Sequence, residues 1–464
     1  MSFIFSTERR RVTDRLSAAK WRALAACLEK KPGCFLYEVV RYGPETGLYL
    51  HPGYYRVCSP SLWQYFLVRK HVKAKCERTH PLMKLFGQTG RKLTLTALFV
   101  FLAVLMVACG SANNTGSPTT TTATNGKGCK KIGVLLPETA TSARWDNNDR
   151  PLLQQLIPQD LSGATVDYSN AQGDADTQQS QAEADLTKGD CILVVAASDS
   201  VKAAAIVAKA KAAGVPVIAY DRLIQSSDLA YYVSFDNVKV GQIQGQYIAD
   251  HYKDYVSAGH NNLVMINGSQ TDNNAKLFNQ GANSVLQPLI DAKTLTKVYD
   301  QFTPNWDNPT AQTEMEGALT TNSNNIQIAY VANDGMAGTV IAALKAQKLN
   351  GKVLVTGQDS TVAGIQAILE GDQSMTVEKN YALEAGGTAK LVAAISNGTD
   401  TSSLTNGATT ATSTGAAIPS ILETPVAIDK SNFQQVVTDN LMKVADICKN
   451  LPTTAKYLPS GYCG

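Results

Sequence analysis

CILVVAASDSVKAAAIVAKAKAAGVPVIAYDR, residues 191–222, is one complete strand–helix–strand unit, and its reading decides the fold class. Its ends, CILVVAA and PVIAYD, are short and almost wholly apolar, and the stretch between them at 200–213 is alanine-rich with a helical pattern. Gly214 stands where such a helix must stop, just ahead of Val215-Pro216. Strands apolar at nearly every position are strands covered by helices on both faces, the habit of parallel sheets. Upstream the alternation runs through KIGVLLP (131–137), a helical stretch at 149–159, TVDYSNA (165–171) and a helical stretch at 174–188. After YYVSFDN (231–237) it starts afresh, with strands at LVMIN, TLTKVYDQF, IQIAYVAND, KVLVTGQD and SMTVEK. The expected class is α/β, with two doubly wound parallel-sheet lobes, because the 336 residues from Cys129 onward exceed one average core. Residues 397–417, NGTDTSSLTNGATTATSTGAA, read as a low-complexity surface loop without chemistry, and a single amphipathic helix is expected near 431–449.

Ahead of this body lies LTLTALFVFLAVLMVAC at 93–109, a charge-free apolar run preceded by Arg91-Lys92 and ending in Val107-Ala108-Cys109. A charged start, an apolar middle and small residues at the end make an export signal. The ending resembles the lipobox of bacterial lipoproteins, with Met106 where leucine is usual, which implies lipidation of Cys109. The competing reading is a retained membrane helix, but the run is shorter than the roughly 20 residues a bilayer requires. Met83 begins a normal signal sequence, so 83–108 is expected to be the signal peptide and 1–82 an upstream extension that need not be translated. Residues 109–128, rich in Ser, Thr, Gly and Asn, suit a flexible tether. Charge marks the same break: residues 1–108 hold 18 Lys and Arg against 6 Asp and Glu, a net of +12, whereas 109–464 hold 24 against 33, a net of −9. No helix-turn-helix, finger or aromatic stacking pattern accompanies the basic part, so no nucleic-acid partner is expected.

Four cysteines remain beyond the lipid site, Cys129, Cys191, Cys448 and Cys463, and an even number outside the cytosol points to disulfides. Of three pairings, Cys129 with Cys191 is favoured because each just precedes a strand that can neighbour the other; Cys448 with Cys463 then clips the tail. With no CxxC and only His251 and His260 in the body, no metal is expected.

Ligands of open α/β sheets sit beyond the carboxyl ends of the strands. Polar residues recur there: Arg144, Trp145, Asp149 and Arg150; Asp221 and Arg222; Asp272, Asn273 and Asn274; then Trp306, Asn333-Asp334, Asp359 and Lys379. As a set they suit a neutral polyol. Each sugar hydroxyl donates and accepts, so it is best held between a carboxylate and a guanidinium, ammonium or amide. Asp272, Asp359, Asn274 and Asn333 are the candidate acceptors, Arg144, Arg222 and Lys379 the donors, and the indoles of Trp145 and Trp306 offer faces for a pyranose. No glycine-rich phosphate loop is present. Plainer roles compete: Asp272 and Asp334 as helix caps, Arg144 and Arg150 as solvated charges, the tryptophans as core, and Asp359 with Lys379 as a surface ion pair.

Seven stretches, ARW (143–145), AYDRLI (219–224), VSFDNVKVG (233–241), DNNAKLF (272–278), AND (332–334), GQDSTVAGI (357–365) and MTVEK (375–379), resemble the type I periplasmic sugar-binding proteins. Within that family the similarity is to the D-xylose-binding proteins of bacterial ABC importers, in the ribose- and galactose-binding group, from about Lys131 to Phe433. The resemblance implies that residues matching Arg144, Arg222, Asp272, Asn274, Asn333, Asp359 and Lys379 hydrogen-bond the sugar, while Trp145 and Trp306 pack on it. It implies a hinge of three crossings, near Phe235-Asp236, Lys379 and Thr424-Pro425, and hence lobes of 129–236 plus 380–424 and 237–379 plus 425–464. It also implies a monomer without cofactor or catalysis that closes on a monosaccharide, most simply D-xylose, and delivers it to a membrane permease. The same event serves a receptor for ribose, arabinose or galactose, or a chemotaxis or signalling sensor. The protein is expected on the outer face of the cytoplasmic membrane, or in the periplasm, tied by Cys109. Glu378, Asn380 and the Thr-rich loop depart from the family pattern. An acid/base reading of Asp272 with Asp359 is expected to fail because cations pair and ionise both.

Overall fold

Four short strands, β1 (Phe35–Glu38), β2 (Arg41–Tyr42), β3 (Leu48–Tyr49) and β4 (Tyr54–Val57), pair antiparallel as β1 with β4 and β2 with β3. Apart from these, the computed structural model describes residues 125–464. The apolar run at 93–109, Cys109, the signal-peptide and extension boundaries and most of the tether lie outside the described residues. No helix among the described residues is long and apolar enough to cross a membrane.

The first large sheet follows from alternating side chains. Along β5 (Lys131–Leu136) and β7 (Ile192–Val195), Ile132, Val134, Leu136, Ile192 and Val194 enter one apolar cluster, while Leu135, Leu193 and Val195 enter another. Successive side chains leave a strand on opposite faces, so the sheet separates two cores. With β6 (Thr165–Asn170), β8 (Val217–Tyr220), β9 (Tyr231–Phe235), β15 (Thr409–Ala411) and β16 (Ala417–Glu423) it forms seven strands in the order β15-β16-β9-β8-β7-β5-β6. All neighbours are parallel except β15 with β16. The second sheet, β10 (Asn262–Asn267), β11 (Thr296–Phe302), β12 (Ile328–Val331) and β13 (Leu354–Val355), is wholly parallel in the order β11-β10-β12-β13.

The chain leaves the first sheet at Phe235 and enters helix Asn237–His251, whose Val240 and Ile248 join the core of the second. That helix crosses Asn273–Asp291 so closely that a Cβ at Gly281 would come 2.1 Å from the Val238 carbonyl oxygen. After Glu378 the chain returns into helix Tyr381–Asn397, whose Ala385, Ala389 and Val392 join the first core. A last passage separates β16, ending at Glu423, from β17 (Val426–Asp429).

Three expectations need correction. SMTVEK does not extend the second sheet: β14 (Met375–Glu378) pairs antiparallel with β17. Its other edge meets a loop because β13 ends after two residues, and Val377 N–H bonds to Gly357 O at 3.2 Å. The Thr-rich stretch is not featureless, since it holds helix Ser402–Thr405 and β15, which pairs with β16; β-branched threonine suits a strand whatever the complexity of its surroundings. The single C-terminal helix is two, Gln435–Thr438 and Val444–Cys448, because Asn440 turns left-handed at φ 56° and Leu441 N–H returns to Val436 O at 2.9 Å.

Both disulfides form as expected. Cys129–Cys191 ties neighbouring β5 and β7 with a Cα–Cα distance of 5.5 Å, and Cys448–Cys463 clips the tail beside an apolar cluster that includes Phe433, Val436 and Ile447.

Candidate functional site

Loops at the carboxyl ends of β5, β8, β10, β11, β12, β13 and β14 line a tight cavity of about 30 Å³. All nine residues expected to hold a ligand line it, with Glu138, Ser142, Asp221, Phe278 and Gln358.

One wall is an ion network centred on Arg144, which is buried rather than solvated. Its Nε and Nη2 donate to Asp149 at 2.9 and 2.7 Å, its Nη1 to Asp221 Oδ2 at 2.9 Å, and Nη2 again to Glu384 Oε2 at 2.9 Å. Lys379 Nζ donates to the same Asp221 oxygen at 2.9 Å. Burial alone would raise the Asp221 carboxyl, but Lys379 and Arg144 outweigh it and hold the group well below the usual carboxylate range. Burial disfavours the Arg144 charge, yet Asp149, Asp221 and Glu384 more than offset that and raise its pKa. The Trp145 ring lies against two guanidinium groups, with Arg144 at 4.4 Å and Arg222 at 5.1 Å from its centroid. Its Nε1 donates to Glu138 at 3.0 Å, which fixes the ring.

The other wall comes from the second sheet. Asp272 caps helix Asn273–Asp291 by accepting from Asn274 N–H at 2.9 Å, so its cap role is real and coexists with lining the cavity. Its Oδ2 lies 2.9 Å from Arg222 Nε and accepts from Trp306 Nε1 at 3.2 Å. Trp306 rests on Gly268, where a Cβ would come 2.1 Å from the indole. Asn274 is spent within the protein: Nδ2 donates to Asp221 O and Oδ1, both at 3.0 Å, and Oδ1 accepts from Asn237 at 3.0 Å. Asn333 was expected to accept, but its Oδ1 caps helix Asp334–Ala346 through Met336 N–H at 2.9 Å, leaving its amide N–H groups as donors. Asp359 is buried, and its carboxylate has no hydrogen-bond or ion-pair partner among the described residues.

The competing reading of Asp359 with Lys379 as an ion pair fails, because Lys379 turns to Asp221. Nor are both acid/base candidates paired: Asp272 meets Arg222, while Asp359 meets no cation within ion-pair distance. Burial raises both carboxyls, against opposition from Arg222 at Asp272 and from Lys379 and Arg144 at Asp359. Arg150 is exposed and stacks on Tyr168, and Asp149 serves Arg144. Asp334 lies behind the cavity, accepting from Thr361 N–H, Gln373 Nε2 and Thr376 Oγ1, each at 2.8 Å. Three lining residues without glycine's freedom have positive φ, Asp221 (59°), Trp306 (58°) and Asp359 (98°), a strain that clusters at functional sites. Glu138 and Glu384 were missed by sequence reasoning.

Residues 132–400 match the family described as periplasmic binding protein domain. The chain is 36% identical over 321 residues to the D-xylose-binding periplasmic protein of Escherichia coli (strain K12), covering 68% of this chain and 92% of that one. It is 35% identical over 339 residues to a multiple sugar-binding periplasmic receptor of Rhizobium radiobacter, with coverage of 68% and 92%. Among solved structures it resembles an ABC transporter solute binding protein from Clostridium phytofermentans with bound β-D-glucose, at TM-score 0.60 and 30% identity, covering 72% of this chain and 100% of that one.

Proposed function

The chain belongs to the periplasmic binding protein domain family, and on that premise we propose that it is an extracytoplasmic receptor of an ABC importer. In this reading it closes on a neutral monosaccharide, most simply D-xylose, between lobes 129–236 plus 380–424 and 237–379 plus 425–464, and hands it to a membrane permease. The observation that carries the reading is Asp359, a buried carboxylate on the cavity without a protein partner among the described residues. Its oxygens are left to accept from a ligand hydroxyl, and a hydrogen bond to a charged group contributes about 1.5–3 kcal/mol. Arg222 and the free amide of Asn333 add donors, and the two fixed indoles add apolar faces. Four carboxylates and three cations line the cavity, so there is no cation excess to hold a phosphate.

Calorimetric titration with D-xylose, ribose, arabinose, galactose and glucose tests this. One-to-one binding with xylose tightest is expected, and silence with all five removes the sugar site. Comparable affinity for glucose and xylose supports a broader receptor, a reading favoured by the relative named for multiple sugars and by the glucose-bound structure.

The membrane tie rests on the run at 93–109 and its cysteine. Replacing Cys109 by alanine is expected to move the protein from the membrane fraction to the soluble one, and unchanged fractionation removes the anchor.

A further inference from the structure

A second set of polar contacts joins the two sheets' loops away from the cavity. Ser200, after β7, donates its backbone N–H to Thr271 O at 2.8 Å, and its Oγ accepts from Asn273 N–H at 3.1 Å. Helix Asn273–Asp291 thus has its first N–H, an orphan in any helix, satisfied from the opposite side of the cleft. Gln225, after β8, donates from Nε2 to Asn273 Oδ1 at 3.1 Å, and its backbone N–H bonds to Ser200 O at 2.8 Å. Gln225 Oε1 accepts in turn from Ser413 N–H at 2.6 Å, at the tip of the β15–β16 hairpin. That bond orients the amide: with the oxygen held by an N–H group, the nitrogen is the atom presented to Asn273.

We propose that Ser200, Gln225 and Asn273 form a closing latch, positioned by the Thr-rich hairpin, that sets ligand affinity without touching ligand. The proposal rests on the two-lobed receptor reading. None of the three residues lines the cavity. The bonds of Ser200 and Gln225 to Thr271 and Asn273 join the lobes, so they add to the closed state and nothing to the open one, whereas the bonds of Gln225 to Ser413 and to Ser200 lie within one lobe; the closed population scales the apparent affinity. The hairpin, a departure from the family pattern, thereby gains a role as the brace of Gln225.

Two variants test it. Gln225→Ala deletes the latch amide. Ser413→Pro deletes the bracing N–H alone, because Ser413 is the second residue of a β-turn closed by Gly415 N–H to Thr412 O at 2.9 Å, a position that suits proline. Gln225→Ala is expected to weaken sugar binding roughly three- to tenfold and Ser413→Pro by less. The order of sugar preference should not change, and without sugar Gln225→Ala should melt no lower than Ser413→Pro, which breaks the same within-lobe bond. Single-molecule energy transfer between dyes on the two lobes should count fewer closed molecules with and without sugar. An unchanged closed fraction overturns the latch, as does a sugar-free melting temperature of Gln225→Ala well below that of Ser413→Pro, which would mark an ordinary structural role. If the wild type binds none of the sugars, the receptor reading fails on that result, while the latch is still judged by the closed fraction of sugar-free wild type against Gln225→Ala.

Discussion

The two walls of the cavity solve opposite problems. On the first, Arg144 is met by Asp149, Asp221 and Glu384, and Lys379 shares Asp221, so these charges are matched inside the protein. On the second, Asp359 and the amide of Asn333 are held at strand ends with nothing among the described residues to bond. On the proposed sugar-receptor reading, the difference separates scaffold from recognition. A matched network keeps its geometry whether or not ligand is present, since breaking any pair strands a buried charge. An unmatched carboxylate on the cavity keeps its hydrogen bonds for a ligand, so on the proposed reading the ligand gains most there.

Removing Arg144 should have the largest effect. Arg144→Met leaves Asp149 and Glu384 without a guanidinium and Asp221 with Lys379 alone, and is expected to cost about 3–5 kcal/mol of sugar-free stability in urea melts. A loss under about 1 kcal/mol would make the network no stronger than a surface pair and erase the contrast. Asp359→Ala should do the reverse. Sugar affinity is expected to fall ten- to a hundredfold or more, about 1–3 kcal/mol, while sugar-free stability holds or rises because no protein group loses a side-chain bond. Unchanged affinity would move recognition to the first wall.

Much of this contrast was legible in the sequence, but not which wall was which. Ligand residues follow strand ends, and runs such as KIGVLLP and CILVVAA mark strand ends plainly, so the nine lining residues were found. Pairing was not legible. Asp221 has Arg222 beside it in the chain and Asp272 has Lys276 four residues on, yet it is the crossing of the chain that decides that Lys379 meets Asp221. Glu384 gave no signal, because a glutamate in a helix's first turn ordinarily serves the helix dipole, and its partner Arg144 lies 240 residues away. Composition likewise hid the Thr-rich hairpin, whose strand exists through pairing with β16.

The smallest expected effect concerns the joint between the walls, and it separates burial that awaits a ligand from burial that does not. Glu378 ends β14 one residue before Lys379, and both its carboxylate oxygens are buried without a hydrogen-bond partner among the described residues. Burial first, then nearby Asp439, pushes it up to about 7. A carboxyl whose folded pKa exceeds its unfolded value contributes stability that is fullest below about 4.5 and is lost as pH rises towards about 7. Glu378→Gln removes that penalty, so at pH ~8 it should be more stable than wild type by roughly 1–3 kcal/mol, with the difference gone near pH ~4. Part of the slope should persist, because burial also pushes Asp334 up to about 7 and it titrates in the same window. Urea melts across this range decide the matter. Parallel curves for the two proteins would mean that Glu378 stays ionised without cost, and then an unpartnered carboxylate such as Asp359 is no longer a sign of a missing ligand.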